Sequence, residues 1–280
     1  MPVEIAVTLP DPPEGASAGQ WYSRQGRLPV VWMLHGGDSD CHDFEHRASL
    51  MRILDRFQVM TVCPSALNSD YADHPEFADG YLFETFFFQE LMPMIQADFP
   101  ADSRPEQNFL TGYSMGAAGA WMYGLAHPGS FGMIAPIASG LKDYRYLEPW
   151  RPLSGAEFRA LAEQDPKKFP AGYGAPGSPI HRKEINMVAK YATVGDFLDS
   201  REHTWDRFAE AAAGHALPKA YLPCSRTDRM YGGVRKLQEL AEQLHSDSIV
   251  FDIRDSGEGY EFAESVLPDI MIHFGLREKD

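Results

Sequence analysis

Apolar positions along this chain cluster into short runs separated by stretches of helical spacing. Residues 28–34 form one run, which stops at His35-Gly36-Gly37, and residues 57–63 form a second. A parallel strand covered on both faces has no polar side to alternate with, so such runs read as buried central strands. Between 83 and 99 the apolar residues recur at helical intervals until Pro100, Asp102 and Pro105 end the pattern, which predicts an amphipathic helix. Residues 108–113 and 131–138 read as further strands, and the small residues Gly116, Ala117, Ala118, Gly119 and Ala120 let the helix after Ser114 pack closely.

From 141 to 217 the pattern changes. Pro152, Pro166, Pro170, Pro176 and Pro179 interrupt amphipathic pieces such as 155–163 and 193–213. This stretch is expected to be a cap-like insertion. Core spacing resumes with a strand at 220–224, a helix at 234–245, a strand at 249–254 and a helix at 262–274. Strands alternating with helices predict an α/β fold, a mostly parallel central sheet flanked by helices, within one domain over 1–280.

Composition narrows the picture. Layered α/β folds reach 280 residues as one unit, and 44% hydrophobic residues suffice to fill its core. Basic residues number 25 against 40 acidic, a net charge of −15 spread along the chain. That balance argues against a nucleic-acid partner, opposes adhesion to anionic membranes and favours neutral small-molecule substrates. The first ten residues have neither a basic n-region nor an apolar h-region, and no stretch is apolar for the ~18 residues of a membrane span. A cytoplasmic protein is therefore expected. Cys41, Cys63 and Cys224 are odd in number and irregular in spacing, unlike a disulfide framework or a metal site. The oligomeric state is left open, a homo-oligomer included.

Gly112-Tyr113-Ser114-Met115-Gly116 fits G-x-S-x-G, and its place between an expected strand and an expected helix gives the pentapeptide its weight. At a sharp strand-to-helix turn the glycines leave room for the backbone, the serine hydroxyl projects and the helix N-terminus favours negative charge. Outside that context the same letters are an ordinary glycine-rich turn. Ser114 is thus the candidate nucleophile, with the Met115 and Gly37 amides as candidate oxyanion donors, each worth on the order of 3 kcal/mol in a working acyl-transfer enzyme. His35 is expected to be a structural, hydrogen-bonded residue of its loop, not a base.

These segments resemble the esterase D, feruloyl and tributyrin esterase group of α/β-hydrolases, which includes relatives of S-formylglutathione hydrolase. The resemblance is carried by Leu34-His35-Gly36-Gly37, by Glu90-Leu91-Met92-Pro93 before Phe99-Pro100, by the elbow at 112–116, and by His127-Pro128 followed by Phe131. It covers residues 28–140 well and 218–275 more weakly. It implies an α/β-hydrolase fold and hydrolysis of carboxylic or thiol esters without a cofactor. The group's acid follows a strand in a segment similar to C-G-T-x-D, where this chain has Cys224-Ser225-Arg226-Thr227-Asp228. Asp228 becomes the candidate acid, the alternative being a loop aspartate that caps its own chain. The group's base lies in a segment similar to G-H-x-W, where this chain reads Gly257-Glu258-Gly259-Tyr260. Aligning Tyr260 with the tryptophan puts Glu258 in the histidine's place, and sliding by one puts Gly259 there. Neither register restores an imidazole.

The imidazole matters because a serine hydroxyl is a weak nucleophile that needs a partner to take its proton and return it to the leaving group. Three readings follow. The protein is a pseudo-esterase that binds a ligand or regulates; Glu258 acts as the base; or a histidine from elsewhere enters, drawn from His42, His46, His181, His203 and His215. His273 lies too far along the last helix. The loop Asp38-Ser39-Asp40-Cys41-His42-Asp43 gathers metal-ligand atoms but lacks the EF-hand glycine and glutamate and the H-E-x-x-H of zinc sites, so no metal is expected. Trp121, Tyr144, Tyr146, Trp150 and Trp205 suit an acyl pocket or plain core packing, and no substrate contact is assigned from them.

Overall fold

The computed structural model of the chain describes residues 3–12, 14–75, 81–167, 176–255 and 257–278. Its centre is a seven-stranded sheet in the order β1-β3-β2-β6-β7-β8-β9. The strands are β1 (Ile5–Thr8), β2 (Val30–Leu34), β3 (Met60–Pro64), β6 (Asn108–Tyr113), β7 (Met133–Ile137), β8 (Ala220–Ser225) and β9 (Ile249–Arg254), while β4 (Asp73–His74) and β5 (Tyr81–Leu82) pair with each other outside it. Among the described residues of the seven-stranded sheet, only β1 runs antiparallel to its neighbour. The mostly parallel α/β sheet expected from the alternation of runs is the one observed.

Burial explains the strands. Every residue of β2 is buried, because β3 and β6 flank it and helices cover both faces. Leu34 pairs with Gly112, so β2 and β6 end side by side and the loops that follow them emerge together. Ligands of open α/β sheets bind at that edge, beyond the carboxyl ends of the strands. The helix Met115–Ala126 then returns across the sheet, and the last helix, Gly259–His273, lays an apolar face including Tyr260, Ala263, Val266, Leu267 and Ile270 on the core.

Several elements differ in detail from the expectation. The segment expected to be helical over 83–99 is helical to Asp98 but contains a π-helical turn at Phe87–Leu91 between Phe83–Phe86 and Met92–Asp98. Pro179 opens the helix Pro179–Ala189 instead of breaking one, since proline at a first helical position gives up an N–H that has no intrahelical partner. Pro170 lies outside the described residues. The amphipathic stretch 193–213 divides into Val194–Leu198 and Thr204–Ala213. Between β7 and β8 the chain carries its own apolar cluster around Tyr144, Leu147, Phe158, Met187 and Phe197, whereas Phe208 packs on Trp121 in the main core. No helix of the described residues is long and apolar enough to cross a membrane.

Candidate active site

Ser114 joins β6 to its helix with φ 55° and ψ −112°. A non-glycine residue held there costs roughly 1–3 kcal/mol and persists only where the surroundings impose it. The neighbouring glycines show what imposes it. A Cβ on Gly116 would lie 1.9 Å from the Leu34 carbonyl oxygen, and one on Gly112 would lie 2.4 Å from the Gly116 backbone. The turn is therefore pressed against the end of β2 as only glycine permits. Ser114 makes no side-chain capping bond to its own helix, and it borders a cavity of about 670 Å³ together with Gly37, Met115 and Asp228. Met115 is the first helical residue, where backbone amides lack intrahelical acceptors.

The loop after β2 is pinned from several sides. His35 Nδ1 donates to the Gly36 carbonyl at 2.6 Å, and Nε2 accepts the Ala66 N–H at 2.8 Å. Accepting that bond requires an unprotonated Nε2, so the ring is neutral with its proton on Nδ1. Burial accordingly pulls its pKa below the usual histidine value, against a smaller opposing pull from the Gly36 carbonyl, Asp43 and Asp40. Because the Gly36 carbonyl and the Gly37 N–H share one planar peptide, fixing the first directs the second. The Tyr71 hydroxyl donates to the His35 carbonyl at 3.0 Å, and the Gly36 N–H meets the Tyr260 hydroxyl at 3.2 Å and Asp43 Oδ2 at 3.3 Å. His35 is structural here, as its hydrogen bonds require.

The opposite wall is less constrained. Asp228, half-buried, uses Oδ1 to accept the Met230 N–H at 2.7 Å. Glu258 is the exposed N-cap of the last helix, without a side-chain capping bond, and does not line the cavity. The loops carrying the two carboxylates are tied by Thr227 to the Gly257 carbonyl and by Arg226 to Asp255. The Tyr113 hydroxyl feels both carboxylates: burial raises its pKa, Asp228 adds to the rise, Arg229 and Arg47 oppose it, and Glu258 adds a smaller push.

No histidine lines the cavity among the described residues. His42 and His46 stack on each other at the surface; His181 and His203 are buried, the first accepting the Gly177 N–H and the second bonded to the Leu198 carbonyl; His215 is exposed; His273 stacks on Tyr221. Of the five aromatic candidates Tyr144 alone borders the cavity. Ligand-type atoms of His42, Glu45 and His46, and of Glu4, Cys41 and His42, lie within 4.8 Å of one another, but His42 is already paired with Glu45 and Glu4, whose hydrogen bonds raise its pKa.

Sequence reasoning missed the roof and the supports. Lys183 reaches from the helix Pro179–Ala189 to Asp38 at 2.6 Å, and Lys190 reaches Asp70 at 2.9 Å. Burial alone would raise the Asp70 pKa, yet Lys142 and Lys190 hold it below the usual carboxylate range. These partners, like Tyr71 and Asp43, are far apart in sequence, and no local spacing announces them.

Comparison with known proteins places the chain. Residues 3–168 match a family model described as "Putative esterase". An acetyl esterase of Caldicellulosiruptor saccharolyticus is 31% identical over 127 residues, 42% of this chain and 47% of the relative. An esterase of Mycobacterium tuberculosis (strain H37Rv) is 26% identical over 159 residues, 54% of this chain and 33% of the relative. The chain thus spans less than half the length of either. An S-formylglutathione hydrolase structure from Staphylococcus aureus superposes with a TM-score of 0.69 at 15% identity, covering 96% of this chain and 91% of that one, a likeness of fold.

Proposed function

Because the chain belongs to the esterase family of α/β-hydrolases, we propose that it hydrolyses a small carboxylic or thiol ester through an acyl-enzyme on Ser114. The observation that carries this reading is the strained turn at Ser114, opening on a cavity beside the Gly37 and Met115 amides. Ser114 Oγ attacks the carbonyl carbon as its proton passes to Glu258, the carbonyl oxygen takes the negative charge between the two amides, and the proton returns to the alcohol or thiol as its bond to the acyl carbon breaks and the acyl-enzyme forms. Water then attacks the acyl group and frees Ser114. Residues 141–217 serve as a cap, with Tyr144 and Met187 as apolar wall. Asp228 takes the place of the acid.

The proton relay is degenerate in this reading. Glu258 holds the position of the group's histidine, and a carboxylate there is a poorer proton acceptor at neutral pH than imidazole. Turnover is therefore slow, since loss of a triad base costs orders of magnitude. The histidine-free cavity favours a second reading, a ligand-binding or regulatory protein on an esterase scaffold. Hydrolysis of p-nitrophenyl acetate across pH, by wild type and Glu258→Gln, separates them. The first reading expects measurable wild-type turnover that falls at acidic pH and is lost in the variant. An unchanged variant removes Glu258 from the mechanism, and no turnover by wild type favours the binding protein.

A further inference from the structure

The segment that fails to supply an imidazole supplies something else. Tyr260, two residues beyond Glu258, turns into the core at the start of the last helix, and its hydroxyl donates to Asp43 Oδ2 while accepting the Gly36 N–H. The Asp43 side chain is fully buried, and its other oxygen accepts from Arg47 at 3.2 Å. A buried carboxylate left without such hydrogen-bond partners would be costly. The Arg47 guanidinium also lies 4.1 Å from the centre of the Tyr260 ring, and Tyr113 packs on that ring at 4.6 Å. Arg47 and Asp43 thus hold the ring and hydroxyl of Tyr260 together.

The position of that hydroxyl gives the arrangement its consequence. A Cβ built on Gly36 would lie 3.1 Å from the Tyr260 oxygen and 3.7 Å from Ser114 Cβ, so hydroxyl, loop and serine adjoin one another. Gly36 separates two peptide planes. His35 fixes the plane that carries the Gly37 N–H, and the Tyr260–Asp43 pair fixes the preceding one through the Gly36 N–H. With both planes held, the Gly37 amide needs no reorganisation when negative charge develops, which is where electrostatic catalysis gains most.

We propose that Tyr260, held by Asp43 and Arg47, is a positioning residue for the oxyanion loop, tying the C-terminal helix to the Gly37 amide beside Ser114. The proposal rests on Ser114 being the nucleophile. Tyr260→Phe keeps the ring and its packing and removes the hydroxyl. It is expected to slow phosphonylation of Ser114 by an organophosphonate about tenfold, to lower kcat for p-nitrophenyl acetate with KM unchanged, and to speed hydrogen exchange of the Gly36 and Gly37 amides. Arg47→Met, at an exposed position, should shift all three readouts in the same direction by less. Normal labelling, kinetics and exchange in both variants overturn the proposal, as does faster exchange with unaltered labelling. If wild type fails to label, the Ser114 reading falls and the positioning role with it; the exchange data then show whether the loop anchor exists without catalysis.

Discussion

The two walls of the cavity are built to different standards. On the side of β2 and β6, Gly112 and Gly116 force Ser114 into its turn, and the buried groups His35, Tyr71, Asp43 and Tyr260 hold the neighbouring loop. On the side of β8 and β9, Asp228 is half-buried and bonded to its own loop, and Glu258 is exposed. One wall is over-determined, while the other retains a carboxylate without the imidazole that would link it to the serine. In the proposed reading acylation depends on the first wall and proton transfer on the second, which would leave the two chemical tasks unequally equipped.

Breaking the rigid wall should have the largest effect. Gly116→Val places side-chain atoms where the Leu34 carbonyl stands and is expected to cost about 4 kcal/mol or more, or to prevent folding, as measured by urea denaturation. Equipping the weak wall comes next. Glu258→His puts an imidazole where the proposed reading places the base and is expected to raise p-nitrophenyl acetate turnover by about 100-fold; no gain would mean that more than the base is missing.

A smaller effect follows from His35. Its folded-state pKa is lowered, so the unfolded chain takes up the proton first as pH falls. The stability contributed by the neutral ring is complete above about pH 6.5 and is lost as pH falls through the lowered folded value, by at most about 1.4 kcal/mol per pH unit. Denaturation midpoints compared across that range should show a flatter dependence in His35→Asn. The least effect is expected from Lys183→Met: the exposed pair with Asp38 should change stability by about 0.5 kcal/mol or less, read by the same denaturation.

What the sequence disclosed follows from which interactions are local. β2, β6 and β7 are legible because buried strands show as apolar runs, and the elbow because two glycines must flank its serine. The edge strand β1 is short and only partly buried, so its apolar residues Ile5, Ala6 and Val7 do not stand out as a buried strand. The bonds that hold the loop after β2 join residues 36 and 217 positions apart, as in Tyr71 with His35 and Tyr260 with Asp43, and only the folded chain brings them together. That no histidine lines the cavity among the described residues was not legible, because it depends on where distant segments fold.

If Ser114 is poised for acylation as proposed, an organophosphonate will modify it although no histidine lines its cavity among the described residues. Intact-mass measurement after incubation with an organophosphonate, on wild type and Ser114→Ala, tests it most directly. A single adduct on Ser114 of the wild type, absent from the variant, is expected. An unmodified wild-type protein, or equal labelling of both, would contradict it.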